Sequence, residues 1–105
     1  MMKDLTGRQR RFLRSRAQSL DAILVVGKEG ITDAVTTATV ECFNRRELVK
    51  VRFREADPDA RRELASTLAA QTGTHLVQMV GRVAVYYRPA PKGAKVDDPI
   101  HLPRG

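Results

Sequence analysis

Within the stretch Glu47–Glu55, ELVKVRFRE, apolar and charged side chains alternate from Val49 to Arg54. Its two valines and its phenylalanine share one side of an extended chain, and Lys50, Arg52 and Arg54 share the other side. A strand with this pattern buries one face against a core and leaves the opposite face open and positively charged. The fold must therefore contain a sheet whose core lies on one side of this strand.

Three further segments read as strands. The run Ala22–Val26 contains no polar residue, so we expect a strand that is covered on both faces. His75–Val80 and Arg82–Arg88 flank Gly81 so closely that they predict a β-hairpin. Because strand–helix–strand units give parallel neighbours and a hairpin gives an antiparallel pair, these four strands predict a mixed sheet.

Three helices are indicated by their start signals. Thr6 with Gln9 three residues later has the form of a capping box, and Thr32 is a suitable N-cap after a glycine-containing turn. Asp57 followed by Pro58 combines an N-cap with proline at the first helical position. The resulting order, α-β-α-β-α-β-β, predicts one compact α/β domain with a four-stranded mixed sheet and helices packed on it.

The domain is expected to span residues 1–89. From Pro89 onward, four of the chain's five prolines occur among lysines, aspartates and glycines. This composition is typical of an extended or disordered segment, so residues 90–105 are expected to form a flexible tail.

The turn Gly27-Lys28-Glu29-Gly30, between the first strand and the second helix, allows two interpretations. The glycines can serve only the backbone angles of a tight turn. Alternatively, they let a phosphate backbone approach closely, near amides at a helix N-terminus, with Lys28 as a mobile positive charge. Glu29 places a negative charge beside that phosphate path. These four residues alone leave both interpretations open.

The net charge of +7 lies mainly at the two ends of the chain. Residues 1–18 contain six basic and one acidic side chains, and residues 74–105 contain five basic and two acidic ones. This asymmetry suits a polyanionic partner, although basic charge alone also serves solubility. The N-terminus is charged where a signal peptide is apolar, and no apolar run is long enough to span a membrane. We therefore expect a cytoplasmic protein that does not enter a membrane.

No pattern in the chain indicates catalysis. His75, His101 and the single Cys42 have no spacing that suggests a nucleophile with its base, and one cysteine excludes an intrachain disulfide. The phosphate-binding loop of nucleotide hydrolases is absent. We predict no enzymatic activity, cofactor, metal or small-molecule substrate. Tyr86 and Tyr87 alternate across the last strand, so one is expected to face the core and the other to be free for stacking on a base.

Four segments together resemble a known family: LTGRQRRFLRSRAQSL, ILVVGKEGIT, ELVKVRF and TGTHLVQMVGRVAVYYRP. They are similar to the CRM domain (chloroplast RNA splicing and ribosome maturation), and more narrowly to the stand-alone bacterial YhbY-like proteins. The resemblance runs from about Leu5 to Pro89. It implies an α/β fold similar to the C-terminal domain of a bacterial translation initiation factor. It also implies RNA binding, with bacterial members linked to the precursor of the large ribosomal subunit.

The resemblance places the family's two-glycine loop at residues 27–30 and its basic helix at the first helix of this chain. Together with basic side chains of the strands, these positions form the predicted RNA-binding set: Gly27, Lys28, Glu29, Gly30, Arg8, Arg10, Arg11, Arg14, Lys50, Arg52, Arg82 and Arg88. We predict a monomeric protein that grips structured RNA through the basic helix and the glycine loop and associates with the large-subunit precursor in the bacterial cytoplasm. The alternative is a protein-interaction adaptor whose arginines dock on a ribosomal protein or an acidic assembly factor.

Overall fold

A computed structural model describes residues 4–105 and contains the predicted elements in the predicted order. The three helices are α1 (Gly7–Ala17), α2 (Asp33–Phe43) and α3 (Pro58–Thr72). The four strands are β1 (Ala22–Val26), β2 (Leu48–Phe53), β3 (His75–Val80) and β4 (Val83–Tyr87). They form one sheet in the order β1-β2-β4-β3, with β1 and β2 parallel and the other pairs antiparallel. The predicted four-stranded mixed sheet is confirmed.

The helix starts follow from their caps. The Thr6 hydroxyl accepts from the Gln9 N–H at 3.1 Å while the Gln9 side chain accepts from the Thr6 N–H at 3.1 Å, which completes the predicted capping box. The Asp57 carboxylate accepts from the Ala60 N–H at 2.8 Å. At the other end of α3, Gly73 adopts φ +64°, a left-handed conformation that stops the helix.

The larger core lies between the sheet and the layer formed by α2 and α3. It includes the apolar side of β2, as the alternation predicted, together with Leu68 and Tyr86. The Tyr86 hydroxyl donates to the Ala65 carbonyl at 2.9 Å, which satisfies the polar end of a fully buried ring. Burial raises the pKa of Tyr86 well above its ordinary value. This core fixes the sheet against α3.

A smaller core lies on the opposite face, where α1 packs against β2, β3 and β4. Leu13 and Ala17 of α1 are buried against Leu48, Val85 and Tyr87. The prediction that one of the two adjacent tyrosines is exposed is therefore wrong, because Tyr86 is buried under α3 and Tyr87 under α1. Neither ring is available for stacking on a base.

The prediction that β1 is covered on both faces is also wrong. Val26 is buried toward α2 and α3, but Ile23 is 40% exposed and Val25 is 53% exposed on the opposite face. The reason is the position of α1, which lies over the other three strands and leaves the outer strand open. The uninterrupted apolar sequence of β1 therefore does not mean that both of its faces are buried.

The tail, residues 90–105, has no helix or strand but contacts the domain at defined points. The buried Glu47 carboxylate accepts from the Ala90 N–H at 2.7 Å and from the Ile100 N–H at 2.9 Å. Ile100 and Leu102 pack against the smaller core, and Asp98 forms a 3.0 Å ion pair with Arg16. The boundary at residue 89 and the flexibility of the tail stay predictions.

Within the part of the chain that is described, no helix has both the length and the apolar character that crossing a bilayer requires.

Candidate nucleic-acid interface

The two glycines of the loop have different structural roles. The Gly30 N–H donates to the Gly27 carbonyl at 3.1 Å and closes the turn, and Gly30 has φ +75°. A side chain at Gly30 is therefore strained. Gly27 does not lie in the left-handed region, and a Cβ built there meets nothing within 4 Å. The fold therefore requires glycine at position 30 and leaves the surface beside position 27 open.

The loop leads directly into α2. The Thr32 hydroxyl accepts from the Val35 N–H at 3.2 Å, which confirms the predicted N-cap. A shallow depression follows the loop backbone from Gly27 to Thr32 and reaches Val35. The helix N-terminus contributes a partial positive charge at the end of this depression, although Asp33 offsets part of it.

Lys28, at the tip of the loop, borders a cleft on the sheet side, which we call the basic cleft. Its other lining residues are Val25 from β1, Arg52 and Phe53 from β2, Arg54 just beyond β2, and Arg82 from the β3–β4 turn. The four cationic side chains are exposed, and none of them forms an ion pair with any residue between 4 and 105. The fold thus concentrates uncompensated positive charge on one side of the glycine loop.

The other side of the loop, toward α3, has the opposite character. A second cleft there is lined by Glu29 of the loop, Glu55 after β2 and Glu63 of α3. Lys28 borders both clefts, whereas Glu29 lines this one and not the basic cleft. Like charges repel, so a polyanion is favoured on the sheet side of the loop and disfavoured on the α3 side.

Of the four α1 arginines in the predicted RNA-binding set, three are exposed and one is not. Arg8, Arg11 and Arg14 are exposed. Arg10 is half-buried, and its guanidinium donates to the carbonyls of Leu76 and Val77 in β3 at 2.9 and 3.1 Å. Because Arg10 lies three residues before the buried Leu13, it sits at the border of the packed stripe and reaches the sheet. Its guanidinium is engaged inside the fold.

Two other predicted residues lie apart from the basic cleft. The Lys50 ammonium donates to the Leu20 carbonyl at 2.9 Å and thereby ties the segment between α1 and β1 to β2. Arg88 follows β4, whereas Arg82 precedes it, so these two arginines are separated by about 20 Å along the strand. Conversely, the structure adds Arg54 to the cleft. The strand alternation indicated that Arg54 is an exposed cation, but the predicted set omitted it.

His75 and Cys42 pack against other parts of the fold. The His75 ring stacks on Tyr87 with centroids 6.1 Å apart, and burial, aided by the nearby Arg10, lowers the pKa of His75. Burial raises the pKa of the Cys42 thiol, which packs at the edge of the larger core. Among residues 4–105, no three His, Cys, Asp or Glu side chains lie close enough together to hold a metal ion.

Comparison with known proteins agrees with the fold and with the sequence resemblance. The family model described as the CRS1 / YhbY (CRM) domain matches residues 5–88. "Probable RNA-binding protein YqeI" of Bacillus subtilis is 34% identical over 95 residues, which cover 90% of this chain and 99% of that protein. "Probable RNA-binding protein PA4753" of Pseudomonas aeruginosa is 36% identical over 91 residues, covering 87% and 88% respectively.

A solved structure supports the same assignment. The solution structure of SAV1595 from Staphylococcus aureus superimposes with a TM-score of 0.78 at 36% identity, covering 95% of this chain and all of that one. The family match spans the three helices and all four strands, including the glycine loop and the lining of the basic cleft. The chain therefore belongs to the CRS1/YhbY (CRM) domain family.

Proposed function

We propose that this protein binds RNA through the basic cleft and the exposed arginines of α1, and that it acts without catalysis in assembly of the large ribosomal subunit. The observation that carries the proposal is the convergence of Lys28, Arg52, Arg54 and Arg82 in the basic cleft, with no ion-pair partner among residues 4–105. The names of the relatives support RNA as the polyanion. The resemblance to bacterial YhbY-like proteins supports the ribosomal precursor as its source.

The cleft offers two kinds of contact to an RNA backbone. Its lysine and arginines present charged donors, which form stronger hydrogen bonds to phosphate oxygens than neutral donors do. The open surface beside Gly27 lets a phosphate approach the loop main chain without meeting a side chain. Arg8, Arg11 and Arg14 add exposed positive charge on α1. Because contacts of this kind carry no sequence information directly, they position RNA on the protein.

The salt dependence of RNA binding tests this proposal. Each phosphate contact removed lowers the slope of log Kd against log salt by roughly 0.7 to 0.9. Lys28→Ala, Arg52→Ala and Arg82→Ala, measured separately by fluorescence anisotropy with one labelled RNA, should each weaken binding and flatten the slope by about that amount.

Arg62→Ala provides a matched control. Arg62 is an exposed arginine near the start of α3, paired with Asp59 at 2.8 Å and outside the basic cleft. Its removal changes net charge by the same amount as each test variant, so it should shift affinity only slightly and leave the slope within error. Equal effects of all four variants would indicate a general charge effect and contradict the assignment of the cleft. Absence of RNA binding at moderate salt would favour the adaptor function.

A further inference from the structure

One row of the sheet is uncovered on the face that carries α1. Successive register partners across the strands are Val25 with Arg52, Arg52 with Val83, and Val83 with Val80. Register partners project to the same face of a sheet, so these four side chains form one line from β1 to β3. We call this line the open row. Val25 is 53% exposed and Val80 is 66% exposed.

The open row is continuous with the basic cleft. Val25 and Arg52 belong to both, and the cleft adds Lys28 and Arg82, which flank the row at the ends of β1 and β3. The row spans three inter-strand steps of about 4.8 Å, or about 14 Å in total. Exposed aliphatic side chains therefore lie beside exposed cations that form no ion pair within the described part of the chain, and a partner that fits must combine apolar surface with negative charge.

We propose that the open row contacts the faces of unpaired nucleobases while the basic cleft holds the phosphates of the same strand. Unpaired RNA presents exposed base faces and negatively charged phosphates side by side, whereas a duplex hides its base faces and would leave the valines without a partner. The planar guanidinium of Arg52 can stack on a base within the row. Four-stranded sheets in other RNA-binding folds carry two or three bases on one face, so a row of this width is sufficient.

A second copy of the chain fits this surface less well. In a two-fold contact the same patch faces itself, which would bring Lys28, Arg52, Arg54 and Arg82 toward their own copies. A stable protein interface also uses about 20 to 30 residues a side, far more than the apolar part of the open row provides. Charge complementarity therefore favours a nucleic-acid strand.

The chain has no tryptophan, so Val25→Trp would introduce a single fluorophore into the open row. The probes are an unstructured RNA of about ten nucleotides, a length that small single-strand-binding folds accommodate, and a blunt duplex with the same number of phosphates. Because an indole stacks on a base more strongly than valine does, the unpaired RNA should quench the fluorescence and bind severalfold more tightly than it binds the wild type. The duplex should do neither.

Ala70→Trp is the control for this measurement. Ala70 is exposed on α3, on the side of the sheet opposite the open row, so neither RNA should quench a fluorophore placed there. Equal quenching at both positions, or quenching of Val25→Trp by the duplex alone, would overturn the proposal.

A loss-of-function pair completes the test. The double variant Val25→Ser, Val80→Ser removes exposed methyl groups and no charge. Its affinity for unpaired RNA should therefore fall by about fivefold to tenfold, while the salt slope of binding and the affinity for the duplex stay unchanged. Thermal melting checks that the fold is intact. If folding is impaired, Val25→Thr with Val80→Thr replaces the serine pair, because threonine keeps the β-branched shape.

The inference rests on the proposed function, and the two can fail separately. If Lys28→Ala flattens the salt slope but neither the serine nor the threonine pair distinguishes unpaired RNA from duplex, the cleft binds phosphates and the open row has no role in base contact. If neither kind of variant changes the affinity for RNA or its salt slope, both proposals fail. If the serine pair abolishes self-association in sedimentation and leaves RNA affinity unchanged, the open row is a protein contact and the inference is wrong.

Discussion

Lys28 and Glu29 are neighbours in the chain, yet only Lys28 lines the basic cleft, while Glu29 lies toward Glu55 and Glu63 beside α3. The turn that carries both side chains is closed by a hydrogen bond from the Gly30 N–H to the Gly27 carbonyl, and Lys28 at its tip borders both clefts. Of these two opposite charges, only the positive one borders the basic cleft. The loop divides a surface suited to a polyanion from one that repels it.

Glu29→Gln tests this separation. If the Glu29 carboxylate faces away from bound RNA, its removal should strengthen binding by less than about threefold, because exposed charges at a distance interact weakly in salt. Fluorescence anisotropy at one salt concentration measures the change. Lys28→Gln, the matched neutral substitution of its neighbour, should weaken binding more. A tenfold gain for Glu29→Gln would place the carboxylate against the RNA and contradict the arrangement.

The two loop glycines should respond differently to alanine. Gly30→Ala forces a side chain into φ +75°, which should lower the free energy of unfolding by about 1 kcal/mol. Gly27→Ala should leave that free energy within about 0.5 kcal/mol, since its Cβ enters open space. Urea denaturation measures both values.

RNA binding then separates the roles of the same two variants. Gly27→Ala should weaken RNA binding although it is fully folded, because its methyl group blocks the approach of a phosphate. Unchanged affinity for a folded Gly27→Ala would show that the RNA does not approach the loop main chain at this position.

Glu47→Gln tests how firmly the tail is attached. The Ala90 and Ile100 N–H groups donate to different oxygens of Glu47, and glutamine replaces one of these oxygens by an NH2 group that cannot accept, so one partly buried donor loses its partner. The expected cost is about 1 to 3 kcal/mol in the free energy of unfolding. Hydrogen exchange should show faster opening at Ala90 or Ile100. Glu63→Gln, on the exposed side of α3, is the control and should leave both measurements unchanged.

The surroundings of His75 predict a pH dependence of stability. Its pKa is lowered in the folded state, so the unfolded chain takes up the proton first as the pH falls below about 6.5. The stabilising contribution of neutral His75 is present above that pH and is lost on acidification. His75→Phe keeps a ring against Tyr87 and should flatten the fall in stability between about pH 7 and pH 5. His101→Gln, an exposed position in the tail, should not. An unchanged profile in His75→Phe would contradict this assignment.

Local chemistry explains which parts of the fold could be predicted from the sequence. The caps at Thr6, Thr32 and Asp57 and the alternation of β2 act over three to nine neighbouring residues, so they are readable without tertiary information. The exposed face of β1 and the burial of Tyr87 depend on where α1 lies across the sheet. No local pattern specifies that position.

The candidate site shows the same division. Lys28, Arg52 and Arg82 are far apart in the chain. They converge only because the C-terminal ends of β1 and β2 and the β3–β4 turn lie at the same end of the sheet. The inward turn of Arg10 could not be predicted, because a helix position at the border of the buried stripe is compatible with either direction. The family resemblance located the loop, and the structure located its charged side.

Chemical-shift mapping of the nitrogen-15-labelled protein with an unstructured RNA tests the central claim most directly. If RNA occupies the sheet side of the glycine loop, the largest amide shifts should fall on Val25, Lys28, Arg52 and Arg82, and Glu63 should barely shift. Shifts concentrated on the outer side of α3, with the amides of the basic cleft unchanged, would contradict it.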